Sequence, residues 1–165
     1  MSEILSKISS YNIFNYLFPG AVFTVLADRL NLLPGPPDKI IQQLLWYYFV
    51  GLAISRIGSV VLEPLLRKTR FVGYSDYPSY LRACAADPKM DVMVEVANTY
   101  RTLAAAFLLL LATAFTIHFA KSAGLPPKWQ NYSAILLLAV LFLFSFRKQS
   151  DFVARRVAHY GGAAE

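Results

Sequence analysis

Four long apolar runs, separated by short polar and basic connections, organise this chain. They cover about residues 11–32, 40–65, 99–120 and 132–147, each near the ~20 residues a helix needs to cross a bilayer. The pattern predicts an all-α protein, a single integral membrane domain over residues 1–165. It is expected to be a four-transmembrane-helix bundle with a short helical segment, about 66–98, between the second and third crossings. Ahead of the first run, Ile4, Leu5, Ile8, Tyr11, Phe14 and Asn15 share one side of a helix over 3–17. That spacing suits a helix lying in the interface. Pro19-Gly20 interrupts the first crossing, and a kink at Pro19 is expected because proline removes a backbone donor. The alternative is that Pro19 begins the true helix and residues 1–18 lie in the interface. The sequence LNLLPGPPDK then reads as a turn.

The second crossing carries a seam. At about 100° per residue, Gly51, Ser55, Gly58 and Ser59 fall on one side, with Arg56 and Glu63 at its edge. Small residues at such spacing let helix backbones approach closely. An arginine at mid-depth costs about 2.5–3.5 kcal/mol, so Arg56 calls for a carboxylate. Glu63, about 10 Å further along the same axis, and Glu95 on the next helix are the two candidates. Three readings stay open for Arg56: a structural ion pair, a side chain snorkelling to the interface, or a pore-lining or sensing charge.

Arg67, Lys68 and Arg70 end the second crossing, and Arg82 follows in the polar connection. These four are the candidate contacts for a partner or for lipid headgroups. The connection reads as a turn around Gly73 to Pro78 and a short helix over Ser79–Ala86. Asp87-Pro88 is a helix start, aspartate as cap and proline at the first position. With no breaker before Gly124, one helix is expected from Pro88 to about Ala120. On it Glu95, Asn98, Thr102, Ala105, Leu109, Thr113 and Thr116 recur three and four apart, a polar or small stripe for the second crossing to meet. Asn98 and Thr102 are its central packing positions. His118, near the far end, reads as a solvated or hydrogen-bonded residue at the membrane edge rather than a proton switch, while Trp129 and Tyr132 mark an interface belt. The last crossing, Ser133–Phe146, lacks a polar seam.

Composition supports a lipid solvent. The chain is 56% hydrophobic and 16% charged, where soluble domains carry about a quarter charged residues. Its formal charge of +6 sits in segments that flank apolar runs, so it speaks for orientation and anionic lipid rather than for nucleic acid. Lysine and arginine number six over 64–101 and four in the C-terminal tail, against two in each of the other turns. Both termini and the central segment are therefore expected in the cytoplasm. The N-terminal MSEILSKISS lacks a secretory-signal pattern. Cys84 is the single cysteine, which leaves no intrachain disulfide and no cysteine metal cage. No Gly-rich phosphate loop, HExxH, GxSxG or Cys/His cluster is present. The expectation is a non-enzymatic protein without cofactor or metal.

The segments NIFNYLFPG (12–20), ISRIGSVVLEPLLRKT (54–69) and DPKMDVMVEVANTYRT (87–102) resemble small bacterial multi-span membrane proteins. Those in turn resemble the membrane components of phage-defence and stress systems. The resemblance implies a bacterial inner-membrane setting and carries over no catalytic residue. The expected function is an effector or sensor that forms homo-oligomers and perturbs or permeabilises the membrane in response to a cytoplasmic partner or ligand. The alternative is a passive anchor that recruits a soluble protein. A transporter is disfavoured, because repeated halves and paired broken helices are missing from the pattern.

Overall fold

The computed structural model describes residues 13–123, 136–148, 150 and 151, without the side chains of Phe14 and Lys121. Among these residues every regular element is helical. A π-helical turn, Ile13–Leu17, leads directly into α1, Phe18–Arg29. Helix α2 runs Ile40–Lys68, with a second π-helical turn at Gly58–Leu62. Helix α3 is Tyr77–Ala86, α4 is Lys89–Ser122, and α5 covers 136–148. The all-α expectation is thus met.

Among the described residues two helices, not four, are long and apolar enough to cross a membrane: α2, with mean hydropathy 1.6, and α4, with mean hydropathy 2.1. The reason is length. The α-helical part of α1 has 12 residues, about 18 Å. It stops where Asn31 turns left-handed at φ 53° and Leu32 N–H reaches back to the Ala27 carbonyl at 2.8 Å. The expected interfacial helix falls largely on residues 3–12, outside the described residues, as do Trp129, Tyr132 and the start of the last crossing. Helix α2 ends by the same device as α1. Arg70 sits at φ 58°, and Phe71 N–H bonds the Leu66 carbonyl at 2.9 Å.

Capping explains the other helix starts. The Asp87 carboxylate accepts from Lys89 N–H at 2.9 Å, as the Asp-Pro pair predicts. The same device recurs at Asp76, which accepts from Ser79 N–H at 3.0 Å with Pro78 in the first turn. Helix α3 therefore begins at Tyr77, two residues before its expected start. Pro19 sits where the first π turn passes into α1. The proline lies in the first turn of α1, yet Leu17 before it is helical (φ −60°, ψ −49°), and the widened π turn precedes it.

The core lies among α1, α2 and α4: Phe23 and Ala27, Ile54 and Leu62, Ala105, Ala106 and Leu110. Helices α1 and α2 touch backbone to backbone. A Cβ on Gly20 would collide with the Tyr47 carbonyl, and one on Gly51 with the Tyr16 carbonyl. Only glycine permits that approach. The Tyr16 and Tyr48 rings meet edge to face beside it, their centroids 5.6 Å apart.

Candidate functional site

The expected seam on α2 divides among three neighbours. Gly51 faces α1. Gly58 lies against Ala105 and Arg101 of α4. Ser59 turns to α5, where the Lys148 ammonium donates to its carbonyl at 2.6 Å and its hydroxyl at 3.0 Å. Ser55 is buried. A seam drawn on one helix assumes one partner, whereas α2 is central and spends adjacent small residues on different helices. The facing stripe on α4 is half realised. Thr102 is buried, its hydroxyl donating to the Asn98 carbonyl at 2.8 Å, and Ala105 is buried beside it. Asn98 is half-buried, and Thr116 is exposed, bonding its own helix.

The expected partnership of Arg56 with Glu63 or Glu95 is corrected. The Arg56 guanidinium donates to the Tyr16 hydroxyl of the π turn at 3.2 Å. Glu63 is held instead by Arg101, whose Nη1 lies 2.7 Å from Oε2. The cause is register. Arg56 points towards the π turn before α1, while Glu63, about 10 Å further along the axis, meets α4 at Arg101 rather than at Glu95.

Glu63 is the centre of an ion cluster. Its side chain is only 10% exposed, and Lys148 Nζ stands 3.6 Å and Arg67 Nη1 4.0 Å from it. Arg67 also lies over the Tyr74 ring, 4.2 Å from the centroid. Three cations from α2, α4 and α5 thus surround one carboxylate. Burial first, then the nearby Glu63 charge, push the Tyr74 phenol above its ordinary range against the pull of Arg101 and Arg67. Burial likewise holds the Lys148 ammonium below the usual lysine range, although Glu63 draws it the other way. Arg101 Nε is buried and has no acceptor among the described residues. Sequence reasoning missed Arg101 and Lys148 as site residues, counting them only among the charges that flank apolar runs.

A second polar group joins the π turn to α4. Asn15 is 1% exposed, and its Oδ1 accepts from the Thr99 hydroxyl at 3.5 Å. Thr99 also bonds the Glu95 carbonyl at 3.0 Å. Asn15 Nδ2 and Glu95 Oε1 are both buried without a partner among the described residues. Of the expected contact residues, Arg67, Lys68, Arg70 and Arg82 are all exposed, with Arg82 reaching Ser79 Oγ at 3.2 Å. Cys84 is half-buried on α3. Comparison with family models, with curated proteins and with solved structures finds no match to this chain, so the reading of the site rests on its geometry.

Proposed function

We propose that this chain is a non-enzymatic multi-pass membrane protein of four crossings, an effector or sensor that works as a homo-oligomer. One observation carries the membrane reading: polar side chains are buried beside the apolar core, while large apolar side chains stay outside the bundle. Asn15, Thr24, Ser55, Glu63 and Thr102 are buried, while Leu111, Phe115, Phe119, Leu137, Leu143 and Phe146 face outward. Large apolar side chains exposed along helix faces are what a membrane or a partner surface covers. In lipid that arrangement is the favoured one, with ionisable groups turned to the bundle interior. The first crossing draws on the π turn as well as on α1. The π turn and α1 together make 17 residues, the short end of what spans a bilayer.

Effector behaviour is supported by the coupling of parts. Helix α4 carries the hairpin with α3 at one end and Thr99, Arg101 and Thr102 inside the bundle further on. A partner or ligand at α3 therefore bears on the helix that holds Glu63. The resemblance to membrane components of phage-defence systems supplies a bacterial inner-membrane setting. The second reading, an anchor for a soluble partner, draws on the exposed Lys68, Arg70 and Arg82.

Two measurements test the proposal. An impermeant maleimide should label Cys84 from one side of sealed vesicles only, the side that single cysteines placed at both termini also report. Purified protein in dye-loaded vesicles should cause leakage that Arg56→Ala alters. Absence of leakage in every oligomeric and partner-bound state would leave the anchor reading, and labelling from both sides would overturn the topology.

A further inference from the structure

We propose that Arg67, Arg101 and Lys148 form a binding site for the phosphate of an anionic lipid headgroup, at the end of the bundle where α2 gives way to the α3 hairpin. The site rests on the membrane reading above and adds a ligand to it. Glu63 meets three cations at 2.7, 3.6 and 4.0 Å, which leaves a local excess of two positive charges. Among the described residues, Glu63 is the one carboxylate within 4.0 Å of Arg67, Arg101 or Lys148. Arg101 Nε is a buried donor without an acceptor, and a buried donor costs free energy until one arrives. Lys148 and Arg67 are 44% and 53% exposed, so both reach outward as well as inward.

A phosphate is the ligand that this chemistry fits. Its oxygens accept charge-assisted bonds from several cations at once, and guanidinium groups present donors in matching geometry. Basic pockets between membrane helices at this depth meet headgroups rather than solvent. Arg67 lies in the last turn of α2, which in the membrane reading puts the cations at the level where lipid phosphates lie.

The test uses the full chain in phosphatidylcholine nanodiscs doped with phosphatidylglycerol, with retained lipid counted by native mass spectrometry. Wild type should keep phosphatidylglycerol in preference to phosphatidylcholine, and rising salt should erode the preference. Arg67→Gln and Lys148→Gln, both on half-exposed side chains, should each lower it roughly fivefold with the helical circular dichroism unchanged. Glu63→Gln should raise it, since the competing carboxylate is gone. Equal retention of the two lipids by wild type, or indifference to both cation substitutions, would overturn the site. Inorganic phosphate or an acidic peptide that binds with the same variant dependence while lipid shows no preference would overturn the lipid assignment. Failure of the chain to enter nanodiscs at all would count against the membrane reading instead.

Discussion

Arg101 donates to Glu63 at 2.7 Å across 38 residues of chain, an ion pair that ties α2 to α4 beside their apolar packing. Both side chains are largely withdrawn from solvent, at 21% and 10% exposure. Removing one member of a buried pair leaves the other uncompensated. Glu63→Gln should therefore destabilise the bundle by roughly 3 kcal/mol, read from thermal unfolding in detergent. Because Arg101 is the close partner, the double substitution with Arg101→Gln should cost less than the two single losses added together. Additive losses would show that the pair is not coupled.

The contact between α1 and α2 makes a sharper prediction. A methyl on Gly51 meets the Tyr16 carbonyl, whereas a methyl on Gly58 sits 3.5 Å from Ala105 Cβ, an ordinary contact. Gly51→Ala should cost about 3 kcal/mol, the upper end of overpacking, because backbone rather than a side chain must move. Gly58→Ala should be neutral or stabilise by up to about 1 kcal/mol through helix propensity. Melting both variants side by side decides it.

Arg56 and Tyr16 should behave as one unit. Their hydrogen bond is 3.2 Å long, and Tyr16 is buried. Tyr16→Phe and Arg56→Gln should each cost about 1 kcal/mol, and a double-mutant cycle should find them non-additive. If Arg56 instead answers a carboxylate, Tyr16→Phe will have no effect on the cost of removing Arg56.

Arg70 occupies the left-handed region at φ 58°, where an L side chain is disfavoured. Arg70→Gly should stabilise the end of α2 by up to about 1 kcal/mol. If Arg70 is also a headgroup contact, the same variant should bind anionic vesicles less well. Unfolding and vesicle flotation separate the two effects.

Tyr80 is pushed up to about 12, first by its hydrogen bond with Cys84 and then by burial. A phenol whose folded pKa lies above its ordinary 10.0 lends stability that is complete below pH 10 and is lost as pH rises towards 12. Ring-carbon NMR titration should show Tyr80 ionising late. Cys84→Ala should bring its midpoint down towards 10, and an unmoved midpoint would refute the contact.

Much of the helical framework was legible beforehand. The long α4 follows from an Asp-Pro start with no breaker before Gly124, and it is observed over Lys89–Ser122. The central place of the Gly51–Ser59 stretch follows from small residues at helical spacing, and Gly51, Ser55 and Gly58 are buried. Periodicity fixes the direction in which a residue points on its own helix, because that is a local property of the backbone.

Pairing is a different matter, since it depends on how far one helix slides along another. Six residues of α4 separate Glu95 from Arg101, about 9 Å of axis, and that offset decides whether Glu63 faces a like charge or an opposite one. The same holds for Arg56, which reaches Tyr16 because the glycine contact draws the π turn against α2. Pro19-Gly20 reads as a chain breaker in one dimension. Only packing made Gly20 the place where two backbones meet, since the space that a missing side chain leaves has meaning only when a neighbour fills it.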